Sequence, residues 1–128
     1  MKKILIVEDD LSVSELVKDI LEDDGYTVIA IASAEKAAHI IDTEKPDLAM
    51  IDMVLPGQGG MDLILDLHES NPTLGIILTS GKIDMNKSTF KALAHQFGVI
   101  GILPKPFTIE ELLSTVRNAL DATVPTSK

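Results

Sequence analysis

One stretch of the sequence decides the fold: Leu48-Ala-Met-Ile-Asp52-Met-Val-Leu-Pro56-Gly-Gln-Gly-Gly60. Its opening apolar run is typical of a strand buried on both faces of a parallel sheet. The run ends on the carboxylate of Asp52 and breaks into a loop rich in Pro and Gly, which are ordinary turn residues. In an open α/β sheet, ligands bind just beyond the carboxyl ends of the strands. Asp52 is therefore a candidate reactive residue, although taken alone it also fits an Asp that merely starts a turn.

Four further apolar runs have strand character and flank this stretch. They span Lys2–Val7, Tyr26–Ile31, Gly75–Thr79 and Gly98–Leu103. Segments with apolar residues at helical spacing separate them, and a fifth helical segment ends the chain; the fourth, Lys82–Phe97, carries the weakest pattern. Strands that alternate with helices predict right-handed crossovers and a five-stranded, doubly wound parallel sheet with helices on both faces. We predict one domain over residues 1–122 and a short polar tail over residues 123–128.

Helix starts are indicated by hydroxyl residues followed by an acid. Ser12 with Glu15, and Thr108 with Glu111, match the capping box, in which each side chain bonds the other residue's amide. Ser33 is a third candidate N-cap, before the second helix. The apolar face of the first helix is predicted from its three- and four-residue spacing. Its members are Val13, Leu16, Val17, Ile20 and Leu21.

Composition limits the class of protein. The 128 residues are 45% hydrophobic and 24% charged, which is ordinary for a soluble globular domain, and the absence of Cys excludes disulfides and thiolate metal sites. The apolar run after Met1 is too short for a signal peptide, and no run approaches membrane-spanning length. We therefore predict a cytoplasmic protein with no membrane association. Twenty acidic against eleven basic residues give a net charge of −9, which opposes direct binding of nucleic acid.

Polar side chains follow four of the predicted strands at the edge where parallel strands end together. They are Glu8 and Asp9, Asp52, Thr79 and Lys105. Three carboxylates in one cleft repel unless a cation lies between them, and Mg²⁺ typically binds one or two carboxylates with waters and phosphate oxygens. This set matches the needs of phosphoryl transfer. Asp52 would be the nucleophile that forms an aspartyl phosphate, while Lys105 and Thr79 would contact the phosphoryl oxygens.

Each of these residues also has an ordinary interpretation. Glu8, Asp9 and Asp10 are acids that would favour the positive end of the first helix. Lys105 alone fits a solvated loop lysine, and Thr79 alone fits a strand residue. Their arrival at successive strand ends favours a common site.

With these motifs the sequence resembles the receiver domains of two-component response regulators, over residues 2 to about 121. The matching motifs are Glu8-Asp9, Asp52 followed by Leu55-Pro56 and Gly60, Thr79, and Lys105-Pro106-Phe107. The resemblance implies the flavodoxin-like receiver fold, with strand order 2-1-3-4-5 and a cis peptide between Lys105 and Pro106.

The resemblance also implies a cofactor and partners. Mg²⁺ would be held by Asp9, Asp52 and the backbone carbonyl of Val54, with Glu8 acting through a water. The donor would be a phosphohistidine of a sensor histidine kinase or of a histidine phosphotransfer protein. The chain would be a switch that catalyses only its own phosphorylation and slow dephosphorylation. Its fourth helix, fifth strand and fifth helix would present the changed surface to a downstream protein or output domain.

One switch position departs from the family. Thr79 would move toward the phosphoryl group, but Ile102 stands where the family commonly has Tyr or Phe, so no large ring is present to swing inward. The signal would then pass through the loop after Thr79 or through another partner surface.

Two other classes of protein fit the sequence less well. A Mg²⁺-dependent hydrolase that turns over through an aspartyl phosphate would be expected to carry a second Asp two residues after the nucleophile, where this chain has Val54. A flavin module would favour a hydroxyl- and Gly-rich loop after the first strand, where the acids Glu8 and Asp9 would repel a phosphate instead.

Overall fold

The computed structural model describes residues 2–53, 59–81 and 96–123. Most of the predicted fourth helix, together with Val54 and the loop through Pro56, lies outside the described residues.

Five parallel strands form one sheet in the order β2-β1-β3-β4-β5, as predicted. Their bounds are β1 Lys3–Val7, β2 Thr27–Ile31, β3 Leu48–Asp52, β4 Gly75–Ser80 and β5 Val99–Pro104. A register shift at Ile76/Ile77 interrupts the pairing of β4 with β5. The central strand β3 is buried along its whole length, which agrees with its uninterrupted apolar sequence.

Helices cover both faces of the sheet. They are α1 Leu11–Asp23, a 3₁₀ turn Ala34–Lys36, α2 Ala37–Glu44, α3 Gly60–Ser70 and the C-terminal helix Ile109–Thr123. Within the described ranges, no helix is long and apolar enough to cross a membrane.

Two of the predicted caps are wrong. The N-cap of α1 is Asp10 rather than Ser12, because Asp10 has extended backbone and its carboxylate accepts hydrogen bonds from the amides of Ser12 (3.0 Å) and Val13 (3.3 Å). Ser33 does not cap a helix through its side chain, because its hydroxyl donates to the Glu35 carboxylate at 3.4 Å instead.

The capping box of the C-terminal helix is confirmed. The Thr108 amide donates to the Glu111 carboxylate at 2.9 Å, and the Glu111 amide donates to the Thr108 hydroxyl at 3.0 Å. The chain after β5 therefore enters this helix at Thr108.

Two apolar cores hold the sheet between its helices. One packs Leu5 and Ile51 against residues of α2 and α3, and the other packs Ile6 and Met50 against α1 and the C-terminal helix. Neighbouring residues of a strand thus point to opposite faces. With both faces filled, the carboxyl edge of the sheet is where strand-end side chains meet.

Candidate functional site

The strand register brings the predicted site residues to one edge of the sheet. Asp52, the last residue of β3, pairs with Thr79 of β4, and Ser80 of β4 pairs with Pro104 of β5. Glu8 directly follows β1, and Lys105 directly follows β5. Four strands that are distant in sequence therefore deliver their polar ends to the same place.

Lys105 lies between two buried carboxylates. Its Nζ is 2.8 Å from Oε1 of Glu8 and 3.1 Å from Oδ2 of Asp52. The two carboxylate side chains are 5% and 8% exposed, and the lysine side chain is 24% exposed. Charges this far removed from water interact strongly and are costly to leave unpaired, so the lysine fixes the arrangement of both acids.

Glu8 is held at three points. Its backbone amide donates to the Ile31 carbonyl at 3.0 Å, which continues the pairing of β1 with β2. One carboxylate oxygen accepts from Lys105 and the other accepts from the Asp10 amide at 3.1 Å. Asp10 itself caps α1, so the start of that helix also orients the Glu8 carboxylate.

Burial raises the pKa of Glu8 above its ordinary value, and the nearby charge of Asp52 adds to the rise. The hydrogen bonds from Lys105 and from the Asp10 amide oppose it only in part. Burial alone would lower the pKa of Lys105, but its hydrogen bonds to Glu8 and Asp52 outweigh burial and raise it. The site therefore keeps the lysine charged.

Three acids lie close enough together to hold a cation. Carboxylate oxygens of Glu8, Asp9 and Asp52 all lie within 4.8 Å of one another. Glu8 and Asp52 are buried, whereas Asp9 is exposed to solvent. An all-oxygen donor set whose members repel one another fits a hard divalent cation such as Mg²⁺.

Thr79 is buried beside Asp52 and helps to fix the end of β3. Thr79 is 3% exposed, and its backbone carbonyl accepts a hydrogen bond from the Met53 amide at 2.8 Å. The strand pairing thus continues one residue beyond Asp52. Thr79 belongs to β4, the strand next to the one that ends in Asp52.

The peptide between Lys105 and Pro106 is cis, as the resemblance implied. Ile102 is partly buried and packs against the core on the α2 and α3 side of the sheet. Ile102 also lines a groove of about 290 Å³ together with Pro104 and with Thr115 of the C-terminal helix.

An apolar groove next to the site was not anticipated. Leu16 was predicted to lie on the apolar face of α1, but it is 58% exposed, because the buried line of α1 runs through Ser14, Val17 and Leu21. Leu16 instead lines an apolar groove of about 480 Å³ with Pro106 and Phe107, and Lys105 forms part of its wall. We call this the α1 groove.

Comparison with known proteins places this chain in a family. A family profile described as response regulator receiver domain matches residues 4–117. The chain therefore belongs to the response regulator receiver domain family, a class of signalling switch.

Relatives and solved structures agree. The chain is 32% identical over 120 residues to the transcriptional regulatory protein CpxR of Escherichia coli K12, an alignment that covers 94% of this chain and 50% of the relative. It is 35% identical over 106 residues to protein-glutamate methylesterase/protein-glutamine glutaminase 2 of Paramagnetospirillum magneticum, covering 81% of this chain and 30% of the relative. The chain thus spans half or less of the length of these curated relatives.

Among solved structures, a CheY-like response regulator receiver domain protein from Methanospirillum hungatei JF-1 superimposes with a TM-score of 0.86 at 31% identity, and 96% of each chain is covered. A response regulator of Chloroflexus aurantiacus superimposes with a TM-score of 0.82 at 31% identity, over 94% of this chain and 98% of that one. Both matches extend over nearly the whole of this chain.

Proposed function

We propose that Asp52 accepts a phosphoryl group from a phosphohistidine donor and that the chain acts as a phosphorylation switch in a two-component pathway. The observation that supports this proposal best is the pair of contacts from Lys105 to Asp52 and Glu8 at the end of β3, in a chain of the receiver family. We also propose residues 1–122 as the receiver domain and residues 123–128 as a tail.

The transfer step makes one bond and breaks one. An oxygen of the Asp52 carboxylate attacks the phosphorus of the donor, and the new O–P bond forms as the donor's N–P bond breaks. The electron pair of the N–P bond stays on the imidazole nitrogen, which takes a proton from water. Slow hydrolysis reverses the modification, since a water oxygen attacks phosphorus and releases inorganic phosphate and the free carboxylate.

The chain's own residues prepare this step. Lys105 already contacts Asp52, so its ammonium is placed to pair with an oxygen of the incoming phosphoryl group. Thr79 lies on the adjacent strand in register with Asp52 and would donate its hydroxyl to a second phosphoryl oxygen. Burial of Asp52 and Thr79 strengthens these interactions.

Mg²⁺ fits the acidic cluster. We propose that Asp9, Asp52 and the backbone carbonyl of Val54, which lies outside the described residues, hold the ion. Glu8 would act through a water, and this role is supported by its two oxygens, which already bond Lys105 and the Asp10 amide. When bound, Mg²⁺ supplies positive charge that offsets the carboxylates and the phosphoryl oxygens.

The proposed output is a change of surface rather than turnover. Contacts that only the phosphorylated state makes, from Thr79 and Lys105, would shift the population toward a second conformation. Ile102 carries no ring, so the signal would pass through the loop after Thr79 or through another partner surface rather than through a ring swing. The proposed downstream partner, a protein or an output domain, would contact the fourth helix, β5 and the C-terminal helix.

We further propose the α1 groove as the docking surface for the donor protein. The groove shares Lys105 with the acceptor site, so a protein seated in it would bring its phosphohistidine close to Asp52. Leu16, which lines the groove with Phe107, is 58% exposed, and an exposed apolar side chain in an apolar groove beside a reactive residue supports an interaction surface there.

Acetyl phosphate tests the chemistry without a partner. Intact mass spectrometry after incubation with Mg²⁺ should show one phosphoryl adduct on the native chain, and none after Asp52→Ala or with EDTA. An adduct of equal yield on Asp52→Ala would contradict the assignment of the acceptor.

A protein donor tests the docking surface. Leu16→Ser should slow transfer from a phosphorylated histidine phosphotransfer protein that labels the native chain, and should leave acetyl phosphate labelling unchanged. Leu65→Ser on α3 is the matched control, because Leu65 is also exposed, at 39%, but lies on a helix of the other face. Equal slowing by both variants would count against the α1 groove.

A further inference from the structure

Gly60 lies unusually close to the backbone that carries Asp52. It is the first residue of α3, and a Cβ atom at this position would collide with the backbone carbonyl oxygen of Asp52. The same atom would lie 2.7 Å from Cα and 2.9 Å from the carbonyl carbon of Met53. These neighbours are all backbone atoms, which cannot move aside by rotating a side chain.

Space, rather than an unusual backbone conformation, is what requires glycine here. Among the described glycines, positive φ angles occur at Gly25 and Gly98 and not at Gly60. Gly60 has helical backbone that any residue adopts, and Ala would favour a helix by about 1 kcal/mol over Gly. The missing side chain therefore serves the contact with the end of β3.

Two backbone hydrogen bonds hold Met53, the residue that follows Asp52. The Gly60 amide donates to the Met53 carbonyl at 2.9 Å, from the α3 side. The Met53 amide donates to the Thr79 carbonyl at 2.8 Å, from the β4 side. Met53 is thus tied to a helix and to a strand, directly after the proposed acceptor.

We propose that Gly60 is a positioning residue for the phosphoacceptor: its lack of a side chain lets the first turn of α3 hold the Asp52–Met53 backbone in place. This inference rests on the proposed function. The held backbone sets Asp52 Oδ2 at 3.1 Å from Lys105 Nζ and within the 4.8 Å acidic cluster. A side chain at residue 60 would displace either the strand end or the helix, and with it the acceptor carboxylate.

The magnitude follows from the sensitivity of reactions to alignment. A displacement of about 1 Å at a reacting group costs on the order of 100-fold in rate. Relief of the collision at Gly60 needs a backbone movement of that order, because the collision is with main-chain atoms. We therefore expect Gly60→Ala to slow phosphorylation by roughly 10- to 100-fold in a protein that is still folded.

Gly59 supplies the matched control. It is the neighbouring residue, its φ of −68° suits any residue, and a Cβ there would meet nothing within 4 Å. Gly59→Ala makes the same chemical change one residue earlier without the collision. It should leave the labelling rate within about twofold of the native rate, since an unstrained Gly→Ala change acts mainly on the unfolded chain.

Intact mass spectrometry measures the rate of acetyl phosphate labelling for the native chain, Gly59→Ala and Gly60→Ala. Mg²⁺ and acetyl phosphate are saturating, and the temperature is one at which circular dichroism shows each protein to be folded. A reduced maximal rate for folded Gly60→Ala alone supports the proposal, since a purely structural role would lower the unfolding temperature and leave that rate unchanged. Equal maximal rates for all three overturn it. Failure of the native chain to label both with acetyl phosphate and with a phosphorylated histidine phosphotransfer protein overturns the proposed function instead.

Should Gly60→Ala be unfolded in buffer, labelling is repeated in sucrose, which favours the compact state. A slow rate for the refolded variant supports the proposal, and a native rate overturns it. Persistent unfolding beside a folded Gly59→Ala also overturns it, because Gly60 would then be a requirement of the fold rather than of acceptor position.

Discussion

Replacing Lys105 by Met removes the cation between Glu8 and Asp52 while keeping a flexible apolar chain of similar length. At an effective dielectric constant of about 20, its contacts of 2.8 Å and 3.1 Å correspond to attractions of about 6 and 5 kcal/mol. Desolvation of the three groups offsets most of this, and removal of one partner from a buried pair typically costs about 3–5 kcal/mol. With Lys105 24% exposed, we expect Lys105→Met to lose about 3 kcal/mol of unfolding free energy near neutral pH.

This loss should depend on pH in a defined direction. Burial raises the pKa of Glu8 in the folded protein above its ordinary value of 4.5, and loss of the lysine raises that pKa further. The stability that protonated Glu8 contributes is complete below its unfolded pKa and is lost as the pH rises through its folded pKa. The difference between native and Lys105→Met stability should therefore be largest near neutral pH and shrink as the pH falls toward about 4.

Urea unfolding followed by circular dichroism measures the loss of unfolding free energy and its dependence on pH. ¹³C NMR of the Glu8 carboxyl follows the titration of that group. Lys18→Met is the control, because Lys18 and Glu22 form an exposed pair at 3.2 Å, worth only about 0.3–0.5 kcal/mol. A loss for Lys105→Met no larger than the control, or one that does not change with pH, would refute the role given to Lys105.

Three further outcomes are expected. Thr79→Ala should slow acetyl phosphate labelling by about tenfold or more, because one hydrogen bond to a charged oxygen is lost. Thr79→Ser should restore the labelling rate. An unchanged rate for Thr79→Ala would exclude this contact. Thr108→Ala should cost about 1 kcal/mol in urea unfolding by removing the capping box, and no loss would show that the cap is dispensable. Ile64→Ala should cost about 2–5 kcal/mol of unfolding free energy, because Ile64 is a fully buried residue of α3, and a smaller loss would indicate that the core collapses around the gap.

The sheet and its polar edge were predictable because they follow from local patterns joined by general rules. Continuous apolar runs such as Leu48–Asp52 identify buried strands, and the handedness of crossovers brings the strand ends to one edge. The convergence of Glu8, Asp52, Thr79 and Lys105 then needs no knowledge of side-chain packing. The cap at Thr108 was predictable for the same reason, since a capping box is contained within four residues.

The errors lie where tertiary contacts choose between local alternatives. Asp10 and Ser12 are both good caps, and Asp10 caps α1 in the fold. Leu16 and Val17 both lie near the apolar stripe, and the rotation of α1 about its axis, which periodicity does not fix, leaves Leu16 exposed. The collision at Gly60 involves backbone atoms seven and eight residues away, so a glycine-rich sequence alone indicates only a turn.

Borohydride trapping tests the central claim most directly. Reduction of an aspartyl phosphate converts that residue to homoserine, and peptide mass mapping then locates it. After labelling with acetyl phosphate and Mg²⁺, we expect homoserine at position 52 and at no other acid. Homoserine at Asp9, or none in protein that carries the phosphoryl adduct, would contradict Asp52 as the phosphoacceptor.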